Sequence, residues 1–149
     1  MAARIAVDAD LARLAEVRAF VRSAVAATAG PGATGDLVQA VDEIVTNVIE
    51  HGYAGRDGKV EVELEAAPDG DGVIVRVRDA CPPFDPTVVP TPDTAAPLDE
   101  RPLGGMGVHL SRELTDAMTH RILPSGGNEL TLVKRFSVEG RGERDGDPG

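Results

Sequence analysis

Apolar residues recur at helical spacing in two stretches of the chain. The first covers residues 10–29, where Asp10 stands in the position of an N-cap, and the second covers about residues 36–51. The Gly-Pro-Gly sequence at 30–32 is expected to end the first helix and open a turn. Gly52 comes directly after the second stretch, where a glycine commonly ends a helix. The pattern therefore predicts two amphipathic helices joined by a turn.

Alternation of apolar and charged residues predicts strands elsewhere. Val or Leu alternates with Glu over residues 60–65, and Val alternates with Ile and Arg over residues 73–78. Residues 68–72, which are rich in Gly and Asp, are typical of the hairpin connection between two such strands. Three further strands are expected at residues 4–7, about 118–123 and 129–136, the last two around a turn at 124–127.

The order of these elements predicts an α+β fold. We expect a two-layer α/β sandwich in which helices cover one face of a mixed, mostly antiparallel sheet. Residues 80–107 carry too many prolines and glycines for regular structure, and we interpret them as a lid or active-site loop before a third helix at about 107–114. One domain is expected over residues 1–137, with a disordered polar tail over 138–149.

Composition and charge narrow the classes of function. Acidic residues outnumber basic ones and give a formal net charge of −10, which disfavours direct binding to nucleic acid because the phosphate backbone is also negative. No apolar run approaches the ~20 residues that span a bilayer, and no signal peptide is evident. The single cysteine cannot form an internal disulfide. We therefore expect a cytoplasmic protein that contacts neither nucleic acid nor membrane.

Three polar side chains follow one another at intervals of four residues on the second predicted helix. Glu43, Asn47 and His51 stack on one side, and the last two border the apolar arc. A carboxylate can accept a proton from a hydroxyl group, and an amide oxygen can bind Mg²⁺. Taken alone, the spacing is more typical of the polar face of an amphipathic helix. It points to chemistry only in combination with other segments.

An aspartate ends the predicted strand at residues 73–77. A carboxylate at this place can accept a hydrogen bond from the exocyclic amine of adenine, whereas guanine presents a carbonyl oxygen at the same edge. A buried Asp79 would therefore favour ATP over GTP. The alternative is an aspartate that merely ends a strand before the proline-rich sequence that follows.

Glycines cluster at residues 104–107, directly before the third predicted helix. They allow the backbone to approach phosphate oxygens, and the start of the helix supplies free N–H groups. A flexible loop that simply starts a helix is the alternative. The P-loop and the dinucleotide-binding glycine pattern do not fit, and the three histidines lack the spacing of a zinc site.

Taken in this order, the segments resemble the conserved boxes of the GHKL (Bergerat) ATPases, and most closely the anti-sigma-factor serine/threonine kinases. The sequence EIVTNVIEHGY looks like the N box of that family, DACPPFDP like its G1 box and LGGMGVHL like its G2 box. The ending GGNELTLVKRF is similar to the last strand. The likeness extends from about residue 3 to residue 136.

The resemblance implies roles for the matching residues. Glu43 would be the general base towards the hydroxyl group of a protein substrate, and Asn47 would be the Mg²⁺ ligand. Asp79 would bind the adenine amino group, supported through a water molecule by Thr131. The residues expected to contact the nucleotide are Asn47, His51, Asp79, Cys81, Phe84, Arg101, Gly104, Gly105, Met106, Gly107, Val108 and Thr131.

The resemblance also implies cofactors and partners. ATP and Mg²⁺ are the expected cofactors. Family members phosphorylate a serine or threonine of an anti-anti-sigma protein, sequester a sigma factor in the alternative complex, and are usually homodimers. The chain is thus expected to be an ATP-dependent protein kinase that acts as an anti-sigma factor.

Two positions depart from the family pattern. Cys81 stands where the G1 box usually has glycine, and a side chain there hinders the close approach of a purine. Leu103 stands where several relatives have a basic residue, so Arg101 is the remaining basic candidate for a γ-phosphate contact. Cys81 motivates one alternative, a catalytically weak ATP-binding switch that sequesters a protein partner, and a simple ATPase is a third possibility.

Overall fold

The computed structural model describes residues 2–27, 31–68, 72–83 and 114–135. Most of the expected lid and third helix, as well as the polar tail, lies outside these residues. The described elements are β1 (Ala2–Asp8), a 3₁₀ turn (Leu11–Arg13), α1 (Leu14–Ala26), α2 (Pro31–Asn47), a π-helical turn (Val48–Tyr53), β2 (Lys59–Ala66), β3 (Gly72–Asp79), β4 (Ala117–Ile122) and β5 (Asn128–Arg135).

The described strands form one sheet in the order β1-β2-β3-β5-β4. All four pairings are antiparallel, and they place Val62 opposite Val77 and Val77 opposite Leu130. The predicted α+β fold is confirmed, and within the described residues the sheet is antiparallel throughout. All five strands that the alternation predicts are present.

Both helices pack on the same face of this sheet. α1 contacts β1 and β2, while α2 contacts β3 and β5. The core is built mainly of valine and leucine, in keeping with a chain that has no tryptophan. The fully buried side chains with the largest volumes are Val17, Val21, Val25, Leu37, Val41, Val45, Val60, Val62, Val73, Val75, Val77 and Leu132.

The boundaries of the helices differ from the predicted ones. Asp10 caps the N-terminus as predicted, since its carboxylate accepts a hydrogen bond from the Ala12 N–H at 3.0 Å, but the helix begins with a 3₁₀ turn. The second helix begins at Pro31, five residues earlier than about residue 36. Proline is well suited to the first turn of a helix because its missing N–H has no intrahelical partner there. The prediction that Pro31 lies in a turn was therefore wrong.

The end of the second helix also differs from the prediction. The backbone continues past Asn47 as a π-helical turn, and the residue that caps its end in a left-handed conformation is Ala54, at φ 52°, rather than Gly52. Such turns are frequent at functional sites because they shift side chains relative to a regular helix.

The sheet face opposite the helices carries a network of charged side chains. The guanidinium of Arg78 donates hydrogen bonds to Glu61 (2.9 Å), Glu63 (2.7 Å) and Glu129 (2.7 Å), and Arg121 donates to Glu129 (2.6 Å). Burial alone would raise the pKa of the Glu129 carboxyl, but these bonds hold its pKa below the ordinary value. The hydrogen bond from Arg78 likewise lowers the pKa of Glu63. The network joins β2, β3, β5 and β4.

Candidate functional site

A cavity of about 410 Å³ lies where β3 ends, between the π-helical turn and the sheet. Its volume falls within the range of about 300–1,000 Å³ that is typical of small-molecule sites. Among the described residues, the apolar part of its lining comes from Ile44, Val48, Val77 and Leu130, with Pro82 and Pro83 at one side. The polar part comes from Asn47, His51, Arg56, Asp79, His120 and Asn128.

Asp79, the last residue of β3, accepts hydrogen bonds from a backbone N–H and from a side-chain amide in the part of the chain that the structure describes. Its Oδ1 accepts one from the Cys81 backbone N–H (2.8 Å) and one from the Asn128 side-chain amide (3.0 Å). The first closes a turn that aspartate favours because its short side chain reaches the backbone two residues on. Neither donor occupies Oδ2. Asp79 therefore offers a carboxylate oxygen to a cavity with both apolar and polar walls, and this oxygen can accept a hydrogen bond from an incoming N–H donor.

Asn128 is a site residue that the sequence did not indicate. It begins β5 directly opposite Asp79 in the register of the sheet. Besides Asp79, its amide nitrogen lies close to two backbone carbonyl oxygens, those of Pro82 (3.1 Å) and Cys81 (3.4 Å). It thus ties the start of β5 to the chain that leaves β3. Only the pairing of strands distant in sequence brings these groups together.

The resemblance implies that Thr131 supports Asp79 through a water molecule, and the register of the sheet contradicts this prediction. Thr131 is opposite Arg76, whereas Asp79 is opposite Asn128. Side chains alternate between the two faces of a strand, so Thr131, three residues after Asn128, lies on the face that carries Arg76. Asn128 occupies the supporting position instead.

Tyr53 fixes the π-helical turn against the sheet. Its hydroxyl group donates a hydrogen bond to the Lys59 carbonyl (2.6 Å) and accepts one from the Ala80 N–H (2.9 Å). The side chain is buried, and burial raises its pKa, so the hydroxyl stays protonated and can serve both partners. Tyr53 belongs to the EIVTNVIEHGY segment, but its role becomes visible only in the fold. It sets the position of the residue that follows Asp79.

Arg56 closes the open end of the π-helical turn. Its guanidinium donates hydrogen bonds to the carbonyl oxygens of Tyr53 (2.8 Å) and Gly52 (2.6 Å). Carbonyl groups at the end of a helical segment lack partners within it, and a cation there also interacts favourably with the dipole. Arg56 brings a positive charge to the rim of the cavity.

A comparison with protein families bears on this geometry. The family model described as a histidine kinase-like ATPase domain matches residues 7–134. The chain belongs to this family. The match includes α2, the π-helical turn, Asp79 and Asn128, which together form the cavity. A comparison with curated proteins gives no match.

Family membership supports ATP binding, and the cavity fits the purine of ATP. Apolar side chains form walls for the flat ring, and the Asp79 carboxylate at the strand end can accept the exocyclic amine. Asn47 lines the same cavity and can present its amide oxygen to a hard cation. None of the helices within the described ranges has a stretch long and apolar enough to cross a membrane.

The remaining predicted residues of this ATPase domain are placed as follows. His51 and Cys81 line the cavity with Asn47 and Asp79. Glu43 lies one turn before Asn47 on α2, half-buried, and is not among the lining residues. Phe84, Arg101, Gly104, Gly105, Met106, Gly107 and Val108 lie outside the described residues.

Cys81 stands where the G1 box usually has glycine, and its side chain is buried and unreactive. Burial, together with the neighbouring Asp79 carboxylate, raises the pKa of its thiol to about 12. The thiol is therefore protonated near neutral pH and is a poor nucleophile. A β-carbon at position 52 would lie 2.7 Å from the Cys81 sulfur. Gly52 thus provides the space that the side chain at position 81 requires.

Gly127 is a second glycine that the cavity requires. A β-carbon there would overlap the carbonyl oxygen of Asp79 and lie 3.0 Å from the Ala80 Cα. The backbone of β3 can pass this close to the start of β5 only because position 127 has no side chain. The second glycine of the GGNELTLVKRF segment therefore matters for the geometry of Asp79.

Proposed function

We propose that the chain is an ATP-dependent serine/threonine protein kinase that phosphorylates an anti-anti-sigma protein and acts as an anti-sigma factor. The observation that supports it most is that Asn47, on α2, and Asp79, at the end of β3, line one cavity. This is the arrangement that the resemblance to the anti-sigma-factor kinases implies. Cytoplasmic location and a homodimer are part of the same proposal.

Asp79 selects adenine in this proposal. Its carboxylate accepts the exocyclic amine, whereas the carbonyl oxygen of guanine would leave two acceptors facing each other without a proton between them. Asn128 and the Cys81 N–H occupy Oδ1 and so fix the plane of the carboxylate. The apolar walls come from Val77, two residues before Asp79, and from Leu130, two residues after Asn128.

Asn47 and Glu43 act at the phosphate end. Bound ATP supplies the phosphoryl group, and Mg²⁺ would neutralise the negative charge of the phosphate oxygens. Asn47 would hold the cation through its amide oxygen, because Mg²⁺ prefers oxygen ligands. Glu43, four residues earlier and about 6 Å away along the helix axis, accepts the proton of the substrate hydroxyl group as its oxygen bonds to the γ-phosphorus and ADP leaves.

A phosphotransfer assay tests the proposal. The chain is mixed with γ-³²P-ATP, Mg²⁺ and an anti-anti-sigma protein from the same cell, and the label is located by phosphoamino-acid analysis. The expected result is label on serine or threonine, reduced about 10²–10⁴-fold by Glu43→Gln. Glu50→Gln is the matched control, because Glu50 is an exposed glutamate of the adjoining turn that does not line the cavity.

Two results of this assay would contradict the proposal. Transfer that survives in Glu43→Gln at the rate of Glu50→Gln would remove Glu43 as the base. Release of inorganic phosphate without a labelled protein would indicate a simple ATPase instead. Analytical ultracentrifugation of the chain with and without ATP tests the homodimer.

A second candidate is an ATP-binding switch that sequesters a partner without transferring phosphate. Two observations favour it: Glu43 does not line the cavity, and the Cys81 side chain occupies its wall. In this case ATP changes the affinity for the partner while no label is transferred. Cys81→Gly is then expected to tighten ATP binding, measured by calorimetry, and an unchanged affinity would remove the thiol as the cause.

A further inference from the structure

Side chains from three strands form a chain of hydrogen bonds along the wall of the cavity. His120 of β4 is linked through its Nε2 to the Asn128 Oδ1 of β5 at 2.8 Å, and the Asn128 Nδ2 donates to Asp79 of β3 at 3.0 Å. His120 lies opposite Leu130 and therefore shares the inner face of the sheet with Asn128. All three side chains line the cavity.

The surroundings of Asn128 determine which way its amide group points. One end of the amide faces three acceptors, namely the Asp79 Oδ1 and the carbonyl oxygens of Cys81 and Pro82. Only the NH₂ group can donate to them, since an amide oxygen there would face a carboxylate and two carbonyls. The amide oxygen must therefore point towards His120.

This orientation fixes the role of the imidazole. Because Oδ1 can only accept, the His120 Nε2 must carry a proton and donate it. The hydrogen bonds then run in one direction, from the imidazole through the amide to the carboxylate. Each bond in such a chain polarises the next.

We infer that His120 is a positioning residue for ATP recognition, which acts through Asn128 to hold Asp79 in the orientation that accepts the 6-amino group of the purine. The inference rests on the ATP binding argued above. It assigns a part in base selection to β4, the strand at the edge of the sheet. His120 on this view contributes to the amine contact and little to the rest of the nucleotide.

Paired ligands separate this role from a general effect on the fold. Dissociation constants are measured for ATP and for purine riboside triphosphate, which lacks only the 6-amino group, with wild type, His120→Leu and His120→Gln. Leucine keeps bulk but cannot donate, while the glutamine amide nitrogen can take the place of Nε2. Arg121→Gln, next along β4 and on the opposite face, is the control for effects on stability.

The expected result is a loss of selectivity that depends on the donor. We expect wild type to favour ATP over the analogue by about tenfold or more, the contribution of one hydrogen bond to a charged acceptor. His120→Leu should lose most of this preference through weaker ATP binding, with the analogue affinity unchanged. His120→Gln and Arg121→Gln should keep it.

Other results would overturn the inference. If His120→Leu weakens both ligands equally, the imidazole contacts the nucleotide directly or supports the fold. An unchanged preference in His120→Leu would show that Asn128 and Asp79 need no help from it. If wild type binds neither ligand, the result contradicts the proposed ATP binding rather than the role of His120.

A measurement on wild type covers the case in which His120→Leu does not fold. Nitrogen-15 NMR of the imidazole identifies the protonated ring nitrogen. Protonated Nε2 is expected at a pH where the ring is neutral. The opposite tautomer, with Nδ1 protonated and Nε2 bare, would contradict the inference.

Discussion

Gly52 and Cys81 share one space in the wall of the cavity. A β-carbon on Gly52 would lie 2.7 Å from the Cys81 sulfur and 3.4 Å from its β-carbon. Real β-carbons essentially never come within 3.0 Å of such an atom, so a side chain at position 52 would have to displace the Cys81 sulfur. The thiol at position 81 is accommodated because the π-helical turn presents a glycine to it.

Gly52→Ala is therefore expected to lower the free energy of unfolding by about 1–3 kcal/mol, the usual range for overpacking a core. When Cys81→Gly has removed the sulfur, Gly52→Ala should lower the free energy of unfolding by much less than it does when Cys81 is present. Urea denaturation of the two single variants and the double variant measures this coupling. Additive effects would mean that the two residues do not compete for space.

Gly127→Ala should damage both the fold and the cavity. The new β-carbon would overlap the Asp79 carbonyl oxygen, so β3 and β5 must move apart where Asp79 and Asn128 pair. We expect a loss of about 1–3 kcal/mol in stability and weaker ATP binding. Gly35→Ala is the control: this exposed glycine of α2 has nothing within 4 Å, and alanine should stabilise the helix by about 0.5–1 kcal/mol. Equal behaviour of the two variants would contradict the geometry at Gly127.

Tyr53→Phe should cost about 1–3 kcal/mol, because it leaves the Ala80 N–H and the Lys59 carbonyl without their hydroxyl partner. For a chain of this length, the midpoint of thermal unfolding should fall by about 2–4 °C per kcal/mol. A variant as stable as wild type would show that the hydroxyl does not hold the turn to the sheet.

The chain contains one tyrosine and no tryptophan, so phenolate absorbance reports on Tyr53 alone. Burial raises the pKa of Tyr53 above its ordinary value of 10.0. A raised pKa means that the stability contributed by the neutral hydroxyl is complete below pH 10 and is lost as the pH rises through the folded pKa. Titration at 10 or below in the native protein would contradict the burial of this group.

Arg78→Met should destabilise the protein in a pH-dependent way. Removal of the guanidinium takes away the hydrogen bond to Glu63, and it leaves Glu129 with Arg121 as its partner. We expect the free energy of unfolding to fall by about 2 kcal/mol at pH 7. In wild type the pKa values of Glu63 and Glu129 lie below 4.5, so their stabilisation is present above that pH and lost as the pH falls.

The difference between Arg78→Met and wild type should therefore shrink as the pH is lowered from 7 towards 4. Urea denaturation at both pH values measures it. Arg4→Met is the matched control, because Arg4 is exposed and its 3.5 Å contact with Glu61 should contribute less than about 0.5 kcal/mol. A constant difference at both pH values would show that Arg78 stabilises by packing rather than by charge.

Local patterns were sufficient to predict the strands and three of the polar groups in the cavity, namely Asn47, His51 and Asp79. The alternation around Val62 and Val77 reflects a sheet with one face covered by helices, and Asp79 follows directly from the end of such a strand. Asn47 follows from its place beside the apolar arc of α2. These features depend on neighbours within a few residues, which a sequence displays directly.

Contacts between distant segments could not be obtained in this way. Asn128 reaches Asp79 only because β5 pairs with β3 in one register, and an error of an odd number of residues moves a side chain to the other face. Thr131, three residues further along, was given the supporting role by the resemblance to the family, and only the observed register shows that it lies on the other face. Tyr53 and Gly52 likewise acquire their roles from the π-helical turn, which has no simple signature in hydrophobic spacing.

Calorimetric titration with ATP in the presence of Mg²⁺ tests the central claim most directly, with wild type, Asp79→Asn and Thr131→Ala compared. We expect wild type to bind ATP at one site per chain and GTP more weakly. Asp79→Asn should reduce ATP affinity about 10–100-fold, the contribution of a hydrogen bond to a charged group. Thr131→Ala, on the other face of the sheet, should bind as wild type does. Absence of binding by wild type, or full affinity in Asp79→Asn, would contradict an ATP site at the end of β3.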